Sequence, residues 1–337
     1  MFDTPSGAAE LHVELARRAD ILVVAPAAAT SLARLALGLA EEMVSLTALA
    51  TRAPIVVCPA MDSQMFEHAA TQANLETLRA RGVDIVGPEE GRLASGQMGR
   101  GRLSEVETIL GAVRQALGRD GDLAGKKVVV SAGGTREPID PVRFISNHSS
   151  GKMGFALAEA ARDRGADVSL VSTVTTMPCP YGVALAPVET VAQMREAVLA
   201  ACREADALIM AAAVSDYRPA ERAEQKVKKG PERWALDLVK NPDFLLEVPD
   251  GLVKVGFAAE SEELLANARQ KLQAKRLDLI AANNIAAEGS GFGTDTNKVT
   301  LLSPDGDEED LPLMSKYDVA GRILDRVVQM LEGKARR

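Results

Sequence analysis

A chain of 337 residues, at roughly 150 residues per domain, has room for about two globular units. Hydrophobic residues at 47% and charged residues at 26% supply an aliphatic core and exclude the composition of a disordered chain. The net charge of -8, from 39 basic and 47 acidic residues, argues against the broad positive field needed for non-specific binding to nucleic acid or an anionic membrane.

In chain order, an amphipathic stretch runs to Arg18. A strand Asp20–Ala25, a helix from Ser31, a strand Pro54–Cys58, a helix Ala69–Arg81 and a short strand Val83–Val86 follow. This alternation predicts a parallel sheet with helices on both faces. The pattern starts with neither a leading strand nor a glycine loop, so the expectation is a doubly wound domain lacking its opening βα unit. A polar, glycine-bearing stretch then separates this region from a second beginning at Val128-Val-Val-Ser-Ala-Gly-Gly-Thr135. The expected division is a first domain over 1–117, a linker over 118–125 and a second domain over 126–335. In the second domain the pattern predicts a helix Lys152–Arg164, strands Val168–Ser172 and Ala207–Ala212, and strands Lys254–Phe257 and Leu277–Ala281 flanking a helix Glu262–Ala274.

Cys58, Cys179 and Cys202 are widely spaced with no C-x-x-C, which suggests neither a disulfide framework nor a zinc site and fits a reducing compartment. The first residues lack a basic and apolar leader, and apolar runs such as Ile21–Ala29 are too short to span a bilayer, so a cytoplasmic protein is expected.

The most informative segment is Ser131-Ala-Gly-Gly-Thr-Arg-Glu-Pro-Ile-Asp-Pro-Val-Arg-Phe-Ile-Ser-Asn-His-Ser-Ser-Gly-Lys-Met-Gly154. It joins a strand to a helix through small and polar residues, with Ser149, Ser150 and Gly151 at the helix start, where backbone N–H groups and the helix dipole face a phosphate. It is not a Walker A loop, because Gly-Lys is followed by Met153, and there is no G-x-G-x-x-G. The bland alternative is a long surface connection, although long loops in compact domains are usually functional. Gln225-Lys226-Val-Lys228-Lys229-Gly230 is a basic knot in an acidic chain: either a solvated face, or a loop that folds over a bound anion. Ala211-Ala-Ala-Val-Ser-Asp216-Tyr217 ends a strand where open α/β sheets bind ligands, the alternative being tight helix–sheet packing with Asp216 as a cap. Pro59–Met65 and the glycine-rich Leu93–Leu103 read equally as a ligand clamp or as turns. His12, among Leu11, Val13 and Leu15, reads as structural. The residues alone therefore lead to two α/β domains and one nucleotide or phosphate site.

The run Ala132–Gly154 resembles the signature of phosphopantothenate-cysteine ligase. His12-Val-Glu-Leu, Ala25-Pro-Ala, Pro59-Ala-Met and Gly99-Arg-Gly-Arg resemble the flavin-dependent phosphopantothenoylcysteine decarboxylase domain fused to it in the bifunctional enzyme family of coenzyme A synthesis. The resemblance implies an α/β protein of two three-layer domains. The first would be flavodoxin-like and incomplete at its N-terminus by about sixty residues, the part carrying the flavin-phosphate loop; the second would be a Rossmann-like ligase domain. It implies ligation of phosphopantothenate to cysteine with CTP as cosubstrate through an acyl-cytidylate, decarboxylation with FMN, a magnesium ion, and a homo-oligomer with neither nucleic-acid nor membrane partners. Carried over residue by residue, Arg143 and Asn147 resemble the pair that handles the acyl-cytidylate, and Lys226 the lysine on the triphosphate. Met210, Ala211, Ala212, Asp216, Pro242, Asp243, Phe244, Leu245, Phe257, Lys271 and Lys275 resemble CTP contacts, beside Ser149, Ser150 and Gly151 of the helix-start loop. In the first domain His12 resembles the active-site histidine, which reverses its structural reading. Asp62 stands where the family usually has Asn, and Ser95 where it has Cys. An ionised Asp62 repels a substrate carboxylate unless one of the two acids holds a proton, and a serine hydroxyl lacks the acidity of a thiol. Both departures predict impaired decarboxylation, and leave open a ligase alone with a degenerate, structural or regulatory first domain. A dinucleotide-dependent oxidoreductase is disfavoured by the missing fingerprint.

Overall fold

The aliphatic runs of the first hundred residues pair as a parallel sheet in a computed structural model that describes residues 11–228, 234–260, 264–284, 291 and 293–335. The chain divides into two units, Met1–Arg119 and Asp120–Arg337.

In the first unit β1 (Leu22–Ala27), β2 (Ile55–Pro59) and β3 (Asp84–Ile85) lie in that order, with Leu22 opposite Ile55 and Val57 opposite Ile85. The helices are α1 (Leu11–Arg18), α2 (Ala29–Leu37), α3 (Met43–Ala50), α4 (Ser63–Glu67), α5 (Ala69–Ala80) and α6 (Val106–Gly118). Strand β1 ends two residues beyond the expected Ala25, because pairing continues to Ala27 opposite Pro59. Val24, Ala27 and Val57 pack against Leu32 and Ala36 of α2, Phe66 of α4, and Leu75 and Leu78 of α5. Val56, Val57 and Cys58 are all fully buried, as a central parallel strand covered on both faces requires; hence its unbroken apolar run. An antiparallel hairpin, β4 (Glu89–Arg92) and β5 (Met98–Arg102), follows the sheet.

The stretch expected as a linker is not a tether. Gly118 closes α6, and Leu123 is fully buried in the core of the second unit, its N–H donating to the Arg164 carbonyl at 3.0 Å. Burying that leucine offsets the ordering of its turn.

The second unit is built on β6 (Lys127–Ala132), a hairpin of β7 (Arg136–Pro138) and β8 (Phe144–Ser146), β9 (Asp167–Ser172), β10 (Ala184–Pro187), β11 (Ala207–Met210), a hairpin of β12 (Tyr217–Pro219) and β13 (Leu238–Lys240), β14 (Val253–Glu260), β15 (Leu279–Asn284), β16 (Thr296–Asn297), β17 (Val299–Leu302), β18 (Glu308–Asp310) and β19 (Met314–Ser315). Its sheet runs β10-β9-β6-β11-β14-β15-β17-β18. The strands from β10 to β15 are parallel, and β17 and β18 close the edge antiparallel. The antiparallel edge was not expected, because the alternation only announces crossovers, whereas β17 and β18 are joined by the short turn at Asp305–Gly306.

Alternate residues of the central strands enter two cores. Val128, Val130, Ala207 and Ile209 face α7 (Lys152–Arg162) and, after α8 (Val191–Ala201) and α9 (Leu264–Ala274) in the chain, α10 (Lys316–Ala335). Val129, Leu208 and Met210 face α8 and the short turn Phe244–Glu247. This is the three-layer arrangement of a Rossmann-like unit. Gly154 lets α7 lie directly on β6: a Cβ there would sit 2.5 Å from Ala132 Cβ and 2.8 Å from the Ser131 carbonyl oxygen. The segment between β6 and α7, expected as one long loop, contains the β7–β8 hairpin instead.

Candidate functional site

The strand order reverses at β6 and β11, with chain connections leaving to either side, so a crevice opens beyond the carboxyl ends of these strands. Two loops meet over it. The Ala213 N–H donates to the Gly133 carbonyl at 2.8 Å, the Thr135 N–H to the Ala213 carbonyl at 3.2 Å, and the Ala212 N–H to Ser131 Oγ at 3.1 Å. Gly133 is held at φ +86, where a Cβ would lie 2.2 Å from Thr173 Oγ1, so this first turn requires glycine.

A cavity of about 820 Å³ fills the crevice. It collects Asn147, Ser149, Ser150 and Gly151 from before α7; Met210 from the end of β11 and Ala211, Ala212 and Asp216 from after it; Pro242, Asp243, Phe244 and Leu245 from after β13; Phe257 from β14; and Lys271 and Lys275 from α9 and its end. Every nucleotide-contact position expected from the resemblance lines it except Lys226. Helix α7 begins at Lys152 with Gly151 in the left-handed conformation and no side chain capping its first turn. The N-terminal N–H groups and the positive end of the helix dipole therefore face the cavity mouth.

The lining is rich in ammonium groups. Lys275 pairs with Asp243 at 3.1 Å, and Asp243 also caps the Phe244–Glu247 turn. Lys271 Nζ donates to the Phe257 carbonyl at 2.6 Å. Asn147 Nδ2 donates to the Ala213 carbonyl at 3.1 Å, fixing this amide over the junction of the two loops. Sequence reasoning missed further lining residues, among them Lys152, Lys240, Asn241 and Lys316. Lys152 stood inside the quoted motif but matched no phosphate-loop spacing. Lys316 starts α10 more than 150 residues away and carries no sequence signal. It is buried, which pushes its ammonium below the usual lysine range; the nearby Lys152 adds to the shift and Asp295 opposes it. Lys152 itself pairs with Asp295 at 2.7 Å.

Arg143 and Lys226 are not among the residues lining the cavity. Arg143 instead binds Asp140 through Nε at 2.9 Å and through a short Nη2 contact, donates to the Val227 carbonyl at 3.0 Å, and lies 4.6 Å from the centroid of the Trp234 ring. Lys226 is exposed on the loop that Val227 anchors; Lys229 and Gly230 of the basic knot lie outside the described residues.

In the first unit Asp62 caps α4, with Oδ1 accepting the Gln64 N–H at 3.1 Å, and its Oδ2 accepts the Ser95 hydroxyl at 3.1 Å. The two positions that depart from the family pattern thus touch each other. The β4–β5 hairpin delivers Ser95 because its backbone docks on the loop after β2. The Met61 N–H donates to the Gly101 carbonyl at 3.0 Å, and a Cβ on Gly99 would lie 2.2 Å from Ser63 Oγ. His12 lies on α1, and no hydrogen bond among the described residues joins it to Asp62 or Ser95. Ser63 Oγ is buried with no hydrogen-bond partner among the described residues.

No helix among the described residues is long and apolar enough to cross a membrane. Fold and cavity define a two-unit α/β protein whose second unit carries a Rossmann-like ligand crevice. Residues 3–118 match the family model for a flavoprotein, and residues 123–331 that for the DNA/pantothenate metabolism flavoprotein C-terminal domain. The chain is 43% identical to the coenzyme A biosynthesis bifunctional protein CoaBC of Escherichia coli K12, covering 100% of this chain and 84% of that one. It is 43% identical to the Bacillus subtilis protein of the same name, over 95% and 80%. The crystal structure of the C-terminal domain of a protein of that name superimposes with a TM-score of 0.55 at 38% identity, covering 63% of this chain and 99% of that one. The chain belongs to the family of bifunctional coenzyme A biosynthesis proteins.

Proposed function

We propose that the second unit ligates phosphopantothenate to cysteine at the expense of CTP, and that the first unit decarboxylates the phosphopantothenoylcysteine so formed to phosphopantetheine with bound FMN. One observation carries the ligase reading: stretches from before α7, after β11, after β13, β14 and α9 converge on one cavity at the switch point of the sheet. The family supports two activities over a lone ligase.

In the first step a carboxylate oxygen of phosphopantothenate attacks the α-phosphorus of CTP, and pyrophosphate leaves. In the second the cysteine amine attacks the acyl carbon, loses a proton, and releases CMP. Both steps gather negative charge, which the lysines of the lining and the open first turn of α7 offset without reorganising. Lys226 adds an ammonium at the phosphates. Asn147 presents a neutral amide to the acyl-cytidylate, oriented by its bond to Ala213. Among the described residues no group of three or more His, Cys, Asp or Glu could hold a metal; a magnesium ion would come with the CTP phosphates and offset part of their charge.

In the first unit the small residues at the end of β1, Ala25-Pro26-Ala27, and the unpartnered Ser63 hydroxyl beyond β2 fit the edge of a flat ring system, and would hold the flavin at the carboxyl end of the sheet. When bound, the flavin supplies a two-electron acceptor. Ser95 would be the hydroxyl donor facing the substrate, its proton held by Asp62, with His12 as the base. The enzyme would work in the cytoplasm as a homo-oligomer.

The test is incubation with phosphopantothenate, cysteine and either CTP or ATP, following pyrophosphate and products by mass spectrometry, then FMN addition and measurement of CO2. CTP-dependent phosphopantothenoylcysteine is expected. Pyrophosphate release that ignores phosphopantothenate, or a preference for ATP, overturns the ligase reading.

A further inference from the structure

Asp140 was not singled out by sequence, and in the structure it is one of the few buried carboxylates of the second unit. It sits in the turn of the β7–β8 hairpin and receives bonds from two distant parts of the chain. Its Oδ1 accepts the N–H groups of Val142 at 2.8 Å and Arg143 at 2.9 Å; its Oδ2 accepts Arg143 Nε at 2.9 Å and the Val227 N–H at 3.2 Å. Arg143 Nη2 meets the Val227 carbonyl at 3.0 Å. Both backbone groups of Val227 are thus taken by one ion pair. A third link lies four residues upstream, where the Ala223 N–H donates to the Ile139 carbonyl at 2.9 Å. Trp234, against the Arg143 guanidinium, ties the downstream side of the same loop.

The loop so held is rooted at the cavity. Its two ends pair as β12 and β13, with Tyr217 opposite Lys240, and the residues flanking that pair, Asp216 and Asn241, line the cavity. The hairpin that holds it runs through β8 directly into Asn147. Grip and cargo are therefore each joined through the chain to lining residues of the cavity, and Lys226 is the residue next to the gripped Val227.

We propose that Asp140 is a positioning residue for ligation: with Arg143 it latches the Val227 backbone and so presents the Lys226 ammonium to the phosphate oxygens of CTP. The proposal rests on the reading of Lys226 as a phosphate-binding lysine. Its physical basis is preorganisation: an ammonium on a loose loop must be ordered each time nucleotide binds, whereas a loop clamped at both backbone groups of the adjacent residue has that cost removed beforehand. The planar Arg143 fork suits this task, since it can meet a carboxylate and a carbonyl together, which a lysine cannot. The Arg143 guanidinium and the three backbone N–H groups also hold the Asp140 carboxyl well below the usual carboxylate range, against the opposing effect of burial.

The test uses the full chain carrying Asp140→Asn, Arg143→Lys and, separately, Lys226→Gln, each also combined pairwise. Two readouts are taken: the rate of tryptic cleavage of the Lys226–Val227 bond without substrates, and steady-state ligation with CTP and cysteine varied in turn. In Asp140→Asn, cleavage should quicken about tenfold and kcat/KM for CTP fall about tenfold, while KM for cysteine moves less than about twofold. Asp140→Glu should recover part of both. In the Lys226→Gln background Asp140→Asn should cost almost nothing further, because it acts through that lysine. A full additional loss there, or unchanged cleavage and CTP kinetics in folded Asp140→Asn, overturns the latch. Should Asp140→Asn fail to fold, Arg143→Lys decides by the same two readouts. Lys226→Gln with unimpaired ligation would instead sink the reading of Lys226, leaving the cleavage result to stand by itself.

Discussion

The two units solve the same problem on sheets of different extent. In the second, six parallel strands reverse their order at β6 and β11, and loops from five stretches close over the crevice, so the site is a cavity within one unit. In the first, where three parallel strands are described, the pair at the rim beyond the carboxyl end of β2 joins a half-buried Asp62 to an exposed Ser95. Apolar side chains such as Leu37, Leu49, Val106 and Leu117 are likewise exposed there. The difference teaches that a switch point needs strands on both sides of it. Where they are present, chemistry-bearing residues are enclosed by their own fold, in a lower dielectric than solvent gives an exposed hydroxyl such as that of Ser95.

The negative charge gathered during nucleotidyl transfer should make the second unit the more sensitive to single charges. Lys226→Gln is expected to slow acyl-cytidylate formation by about a hundredfold, the scale of removing one stabilising donor from a developing anion, read as pyrophosphate release in a single turnover. A loss confined to the cysteine-dependent step would place Lys226 elsewhere.

Close packing beneath the cavity gives the next largest effect. Gly154→Ala puts a methyl group against the Ser131 carbonyl and Ala132 Cβ, neither of which is a flexible side-chain end. Strain of about 1–3 kcal/mol outweighs the better helix propensity of alanine. Calorimetry should show the second unit melting about 5 °C lower. An unchanged melting temperature would mean α7 can ride up on β6.

At the rim of the first unit the effects should be smaller. Ser95→Cys and Asp62→Asn are each expected to raise FMN-dependent decarboxylation by about tenfold or less, by restoring an acidic donor and removing a charge that repels the substrate carboxylate. Because the two side chains share a hydrogen bond, their double-mutant cycle should be non-additive. Loss of CO2 release in Ser95→Cys would show that the serine is part of a different relay.

The smallest response is to pH. A carboxyl whose folded pKa is depressed contributes stability that is fully present above its unfolded value of about 3.9 and is lost as pH falls through the folded value. For Asp140 that loss lies in strong acid, so the tryptic resistance of the Lys226 loop should stay level from about pH 9 down to about pH 5. Loosening within this range would mean that another group titrates the latch.

Much of the cavity lining was legible in the chain. Ala132–Gly154 and the Ala211–Asp216 strand end are local signals, since a strand, a glycine turn and an uncapped helix start are made by neighbours in sequence, and their order fixes the crevice through the handedness of βα crossovers. The α/β class, the helix from Lys152 and the small residues after β11 follow from periodicity and side-chain size, whereas the Rossmann-like arrangement came from the resemblance. What only tertiary structure decided are the meetings of residues far apart: Val227 with Asp140 and Arg143, Ser95 with Asp62, Lys316 with the cavity. Each partner taken singly looks like a solvated charge, a cap or a helix residue. A charge acquires its role from what is buried around it, and burial depends on the packing of the whole unit; no spacing along the chain encodes it.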